Sequence, residues 1–375
     1  MKFIIEQKDF QPALAAATRV VQRRNTIPIL SNVKVEASGE TITITASDLD
    51  TEISVTAPAQ VEAAGATTMP GHLLSAMVNR LPKGAQVSVS ADDRMANIIC
   101  GKRTAQLPIL PVTNFPEFAR SDAQHAITLA GMELHNLFSS VAYAISTEET
   151  RYYLCGIYMH VVGDDVAVVA TDGHRLGHRL GLNLANENML DETAPGVIIP
   201  KQAVQEINKL TDKVAADVTL SWAENHTVLT MDGVTLRTKN IEGNFPDYNR
   251  VIPSAPDKII TINREAVTDA ASYCAQIAET VEAAKKKVPQ LILDAGDNLL
   301  QLSAGRTNGT GTDEIEAQYE GENIRFSMGL NYLAATTASM DGDTIRMELT
   351  DPSTGILLRD PEDPTHTHVI MPMSF

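Results

Sequence analysis

Apolar and polar residues alternate in short runs along much of the chain, and between these runs apolar residues recur at three- and four-residue spacing. Phe3-Ile4-Ile5, Ile127-Thr128-Leu129 and Ile260-Thr261-Ile262 predict three short strands, each followed by a helical stretch. The second helix is the clearest, with Leu134, Leu137, Phe138, Val141 and Ile145 on one face of a 3.6-residue period. Phe10, Leu14 and Val21 mark the first, and Val267, Ala271, Cys274 and Ile277-Ala278 the third. Thr41-Ile42-Thr43-Ile44-Thr45 alternates as a half-buried strand does, and Asp232-Gly233 has the composition of a hairpin turn.

A second element also occurs three times. Met69-Pro70-Gly71-His72-Leu73-Leu74, Ile199-Pro200-Lys201-Gln202-Ala203-Val204 and Ser327-Met328-Gly329-Leu330-Asn331-Tyr332-Leu333 each lead to a strand, at Val87–Ser90, Val218–Ser221 and Ile345–Glu348. The period is about 130 residues, the size of a domain and far above the ~20–50 residues of a solenoid repeat. Phe115-Pro116-Glu117-Phe118 and Phe245-Pro246-Asp247-Tyr248 repeat at the same interval and mark boundaries. Coincidental patterning in an ordinary α+β protein is the competing explanation; four elements recurring in one order argue against it. The expectation is an α+β chain of three similar domains, 1–120, 121–252 and 253–375, each with two helices packed on antiparallel sheets.

The length of 375 residues and the 43% hydrophobic content suit two or three packed cores. Six helical windows, 10–24, 70–84, 130–151, 200–213, 263–287 and 327–343, together carry +2, so the strands and loops carry −19, more than the whole net −17. Arg19, Arg23 and Arg24 fall in one window, Arg80 and Lys83 end another, and Lys285-Lys286-Lys287 reads as a solvated loop. A net acidic chain argues against a simple groove-type nucleic-acid binder. Segregated charge leaves room for helices that face phosphates while acidic sheets repel them. Cys100, Cys155 and Cys274 are sparse and set in apolar stretches, which suits buried free thiols. Glu6, Lys8 and Asp9 interrupt the amino end too early for a signal peptide, and no run of ~18 apolar residues occurs, so a cytoplasmic location is expected.

Asp172, His174 and His178, and His366 and His368 near Asp360 and Asp363, are candidate metal or general-base groups. Neither His-Glu-x-x-His nor metal-type cysteine spacing accompanies them, and the two sets lie in different repeats. No phosphate-binding Gly-x-x-x-x-Gly-Lys-Ser/Thr loop and no Gly-x-Ser-x-Gly elbow is present. No catalytic residue, metal or cofactor is assigned. A protein-interaction scaffold indifferent to DNA topology is the other alternative.

Arg151-Tyr152-Tyr153-Leu154-Cys155-Gly156, Ala170-Thr171-Asp172-Gly173-His174-Arg175-Leu176, Phe245-Pro246-Asp247-Tyr248 and Val369-Ile370-Met371-Pro372-Met373 carry a family likeness. With Met1-Lys2-Phe3 and Thr26-Ile27-Pro28-Ile29-Leu30 they span the chain in order. The sequence resembles the β subunits of bacterial DNA polymerase III, the sliding clamps. The resemblance implies three domains per subunit and two subunits joined head to tail in a ring of six domains lined by twelve helices. It implies a processivity factor that encircles duplex DNA, engages primer–template junctions and has no chemistry of its own. Its implied partners are a second copy, the polymerase III alpha subunit, an ATP-driven clamp loader, translesion polymerases, mismatch-repair proteins and ligase; no membrane is implied.

The same resemblance implies a peptide-binding pocket of Leu154, Thr171, Gly173, His174, Arg175, Leu176, Pro246, Val251, Val369, Met371, Pro372 and Met373. Methionine-rich walls suit adaptable recognition of several peptides. Arg24, Tyr152, Tyr153, His72 and Lys201 are expected to face DNA. Lys102, Arg103 and Leu107 on one side, and Ile277, Asp313, Glu314 and Glu316 on the other, are the expected subunit interface, with charges that favour head-to-tail pairing. Glu148, Asn249 and Ser374-Phe375 depart from the family pattern and bear on DNA contact and partner preference.

Overall fold

The three short strands near residues 3, 127 and 260 all form, and each is built into the same frame. In a computed structural model that describes residues 1–22, 26–118, 123–282, 288–306 and 309–374, Lys2–Glu6 pairs antiparallel with Gln86–Ala91. His125–Ala130 pairs in the same way with Asp217–Ala223, and Lys258–Asn263 with Thr344–Leu349. Phe3 lies opposite Val89, Ile127 opposite Leu220 and Ile260 opposite Met347, and all six side chains are buried.

A helix leaves each first strand with no connecting residue: Gln7–Ala17, Gly131–Ala142 and Arg264–Glu282. Three more start directly after strands, Gly71–Val78, Lys201–Thr211 and Leu330–Thr337. The junctions need no loop because the last strand residue already has the extended backbone that a helix start requires, as at Glu6 and Gly329. Leu134, Leu137, Phe138 and Val141 are buried, as their spacing predicts.

Five of the six helices stop short of their sequence windows, and the end of the sixth window, 263–287, lies outside the described residues. Gln7–Ala17 ends at Thr18, whose hydroxyl donates to the Leu14 carbonyl at 2.7 Å in competition with the backbone ladder. Arg19 therefore lies beyond the helix, and Arg80 and Lys83 lie beyond Gly71–Val78. Gly131–Ala142 gives way to a 3-10 turn at Glu149–Leu154. Arg23, Arg24 and Lys285-Lys286-Lys287 lie outside the described residues.

The chain divides into two compact units. Met1–Gly131 with Gln205–Asn240 holds a five-stranded and an eight-stranded sheet. The eight-stranded sheet is continuous because Val234–Lys239 pairs with Thr51–Pro58, placing Leu236 opposite Ile53. Met132–Val204 with Ile241–Phe375 holds twelve strands in a single hydrogen-bonded order. Arg175–Gly181 pairs there with Asp363–Ile370, Arg175 opposite Ile370 and Leu176 opposite Val369. The main core of this unit gathers Phe326, Leu333, Ile345 and Leu358, and a smaller cluster holds Val169, Leu176, Tyr248, Leu357 and Val369.

All three cysteines are free; Cys100 and Cys274 are buried, while Cys155 is only half-buried, in a departure from expectation. It directly follows the turn Glu149–Leu154, in which Glu149, Thr150 and Tyr152 are exposed. Among the described residues no helix is long and apolar enough to cross a membrane.

Candidate functional site

The hairpin turn between Asp165–Thr171 and Arg175–Gly181 is made by its own side chains. Asp172 Oδ1 accepts the backbone N–H groups of His174 at 2.9 Å and Arg175 at 3.1 Å, and its Oδ2 accepts Arg175 Nε at 3.1 Å. Thr171 Oγ1 donates to the Arg175 carbonyl at 2.7 Å and accepts the Gly173 N–H at 3.1 Å. Gly173 has φ +88°, a left-handed conformation that favours glycine. The absence of a side chain there also admits Arg151, whose Nη1 stands 2.7 Å from where a Cβ would sit. Asp172 is thus committed to shaping a turn, which accounts for it without a metal or a general base.

Strand pairing carries this turn to the carboxyl-terminal segment. The Met371 N–H donates to the His174 carbonyl at 2.8 Å. Val251, Val369 and Met371 meet around Gly355, where a Cβ would lie 3.0 Å from Val369 Cγ1 and 3.7 Å from Met371 Sδ. Leu154, Leu176 and Val369 are buried, the last two packed together in one apolar floor, whereas Gly173, His174, Pro246, Val251 and Met371 are exposed. Pro246 lies between Phe245, stacked on Tyr158 at 5.0 Å, and Tyr248, which packs with Leu176 and Val369. Pro372 and Met373 are half-buried and continue along the strand Ile324–Gly329, the Met373 N–H donating to the Ser327 carbonyl at 2.9 Å.

Several residues that sequence reasoning did not assign support this surface. Tyr332 stacks on the His174 ring at 5.8 Å and 11°. The Arg175 guanidinium lies over Tyr332 at 5.1 Å and over Tyr143 at 5.3 Å. The Tyr143 hydroxyl lies 2.7 Å from His368 Nδ1 and 3.2 Å from the Leu176 carbonyl, and burial pushes its phenol well above the usual range. Tyr332 and Arg151 stood inside motifs read for repetition and resemblance; nothing in the sequence marked Tyr143.

The candidate metal groups do not assemble. His366 and His368 are buried with ring centroids 3.9 Å apart, while His178 tilts against Tyr248 at 5.5 Å. Burial pushes His178 and His366 down to about 4, and His368 well below its ordinary value. Among the described residues no group of three His, Cys, Asp or Glu side chains is placed to hold a metal ion.

Of the residues expected to face DNA, Tyr152 is 55% exposed and meets half-buried Tyr153 edge to face at 5.7 Å. Glu148 beside them hydrogen-bonds Arg151 and Thr150, and the Arg151 guanidinium holds its carboxyl below the usual range. His72 is exposed at the start of Gly71–Val78, with Nε2 2.9 Å from the Val21 carbonyl. Lys201 opens the helix Lys201–Thr211 and is half-buried. Arg24 lies outside the described residues.

Of the expected interface residues, Arg103, Leu107, Asp313, Glu314 and Glu316 sit on two strands with an unpaired side among the described pairings, Lys102 is in the turn before the first of them, and Ile277 is in the helix Arg264–Glu282. Arg103–Pro108 is the last strand of the five-stranded sheet; Lys102 and Arg103 are exposed, and Leu107 turns its side chain into the protein's own core. Gly309–Gln318 pairs along its length with Leu299–Arg306 but with Lys258–Asn263 only at Ala317 and Gln318. Glu314 and Glu316 are exposed on it and Asp313 is half-buried. The side chain of Ile277 lies outside the described set.

Comparison with known proteins agrees with this reading over the whole length. The family models for the N-terminal, central and C-terminal domains of the DNA polymerase III beta subunit match residues 1–119, 128–247 and 249–374. The beta sliding clamp of Caulobacter vibrioides (strain NA1000 / CB15N) is 35% identical over 379 residues, covering 100% of both chains. That of Escherichia coli (strain K12) is 25% identical over 378 residues, again covering 100% of both. The DnaN sliding clamp from Bartonella birtlesii, solved bound to griselimycin, superposes with a TM-score of 0.93 at 32% identity over 100% of each chain. The Caulobacter crescentus clamp, solved with PEG bound to a putative beta-motif tethering region, gives 0.93 at 33% identity over 100% of this chain and 99% of that one. The three-domain match over the whole chain places this protein in the DNA polymerase III beta subunit family, the beta sliding clamps, which are non-enzymatic processivity factors.

Proposed function

We propose that two copies of this chain close head to tail into a ring around duplex DNA and tether polymerase III through the surface formed by the Thr171–Arg175 turn and the Val369–Met373 segment. The observation that carries the docking half is the joining of these two segments, far apart in sequence, into one exposed rim over an apolar floor. Griselimycin on the Bartonella birtlesii relative supports a ligand site on this fold. Partner peptides dock at Leu154, Thr171, Gly173, His174, Arg175, Leu176, Pro246, Val251, Val369, Met371, Pro372 and Met373. The polymerase III alpha subunit, the clamp loader, translesion polymerases, mismatch-repair proteins and ligase compete for that surface.

The closing edges are Arg103–Pro108 and Gly309–Gln318, with Lys102 and Arg103 meeting Asp313, Glu314 and Glu316, and Leu107 and Ile277 completing the joint. Unpaired backbone groups on both strands support pairing by strand addition, and the opposite charges support its direction. Arg24, His72, Tyr152, Tyr153 and Lys201 face the duplex or an exposed junction base. The pairing of Glu148 with Arg151 removes much of the repulsion that this carboxylate would otherwise offer phosphate. Three domains, divided near residues 120 and 252, work in the cytoplasm on the chromosome.

The test is topological. The protein, loaded by its cognate loader on nicked circular DNA, is retained on the circle and lost once the DNA is linearised. Retention that is indifferent to linearisation overturns the ring, and a monomer of about 40 kDa at micromolar concentration overturns the dimer.

A further inference from the structure

The carboxyl-terminal segment that walls the docking surface is held from below by two side chains outside it. Ser327 is completely buried in the strand Ile324–Gly329. Its Oγ donates to the Met373 carbonyl at 2.6 Å, and its own carbonyl accepts the Met373 N–H at 2.9 Å. Gln290, on the neighbouring strand Gln290–Gly296, donates through Nε2 to Ser327 Oγ at 2.9 Å and to the Ser374 carbonyl at 3.0 Å. The segment is therefore fastened at His174, at Ser327 and at Gln290 in turn.

The geometry points to Ser327 and Gln290 as positioning residues for partner binding: they hold Met371–Ser374 in the arrangement that receives a ligand, without lining the surface themselves. This rests on the docking reading above. Ser327 spends its one proton on Met373 and takes one from Gln290, so the hydroxyl is a relay with no spare donor. Removing it leaves the Met373 carbonyl without its side-chain donor and the Gln290 amide without its acceptor on Ser327, held by the Ser374 carbonyl alone. A segment of four residues exposed on one side has little else to order it. Met371 and Met373 have long, unbranched side chains, so their positions depend on the backbone beneath them. A ligand then meets a smaller population of the receptive arrangement, and apparent affinity falls in proportion to that population.

The test uses the full-length chain and griselimycin as the probe. Ser327→Ala and Gln290→Leu are each expected to weaken binding about 3- to 10-fold. The Met371 and Met373 methyl resonances of each variant sharpen, while the thermal midpoint stays near that of the unmodified chain. Ser327→Thr, which keeps the hydroxyl, restores both affinity and line width. Unmodified chain that binds while both variants bind equally well, or better, overturns the positioning role. Broad methionine resonances in S327A, or a loss of affinity that S327T does not restore, overturn it too. Failure of the unmodified chain to bind overturns the docking reading itself, and this inference with it.

Discussion

The backbone N–H of Met371 donates to the carbonyl of His174 at 2.8 Å, tying the exit of the last strand to the tip of a hairpin turn. That bond extends the pairing of Arg175–Gly181 with Asp363–Ile370 and joins two walls of the proposed docking surface. Removal of Met371–Phe375 is expected to lower affinity for the polymerase alpha subunit at least tenfold while the dimer persists, because the free edges of Arg103–Pro108 and Gly309–Gln318 are untouched. Surface binding and sedimentation measure the two quantities separately. A truncated chain that becomes monomeric would move this segment to a structural role.

Gly173 is the second position where the surface depends on one residue. Gly173→Ala forces a side chain onto a left-handed backbone and displaces the Arg151 guanidinium. The expected cost is about 1 kcal/mol of stability, read as a shift of the denaturant midpoint, with a matching fall in ligand affinity. Gly173→Asn, which tolerates this backbone better, should cost less.

Tyr143 joins the docking surface to the buried histidines. With His368 Nδ1–H as donor, the phenol oxygen accepts that hydrogen bond and its own O–H donates to the Leu176 carbonyl. Tyr143→Phe strands both groups in a dry interior and is expected to destabilise the chain by about 1–3 kcal/mol in urea unfolding. No loss would mean that water takes the place of the hydroxyl.

The buried histidines also predict a pH dependence with a definite sign. Burial holds His178 and His366 at about 4 and His368 well below its ordinary value, whereas unfolded imidazoles titrate near 6.5. The unfolded chain therefore takes up protons first as the solution is acidified. The stability conferred by the neutral folded rings is complete above about pH 6.5 and is lost as pH falls toward 4. Denaturant midpoints should decline between pH 7 and pH 5, and His366→Gln should flatten that decline. A midpoint constant over this range would contradict the burial of these rings.

A charge reversal addresses the subunit joint. Lys102→Glu with Arg103→Glu is expected to shift the chain toward monomer in sedimentation at low salt, and Glu314→Lys with Glu316→Lys in the same protein should recover dimer. Absence of recovery would place the closing contact elsewhere.

Local structure was legible where burial imposes a period. The apolar face of Gly131–Ala142 follows from a 3.6-residue period, and the strands at Phe3, Ile127 and Ile260 from short apolar runs. Helix ends were not legible, because Val20, Val21, Ala144 and Ile145 are buried outside helices and prolong the apolar pattern past the last hydrogen-bonded turn. Pairings such as Leu236 with Ile53 and Leu176 with Val369 join distant strands, and alternation within one strand does not name its neighbour. For the same reason the repeats revealed Ser327 and Tyr332 but not their attachment to Met373 and His174.

The division of the middle third between two units also sets an order for synthesis. On a ribosome the first unit cannot complete its eight-stranded sheet until Val234–Lys239 has emerged, and by then Met132–Val204 is already outside the exit tunnel. That stretch must wait for Ile241–Phe375 before Arg175–Gly181 acquires the strand Asp363–Ile370. A nascent chain that has emerged only as far as about residue 240 would thus present one finished unit and a long unpartnered insertion, the species on which a chaperone would be expected to act.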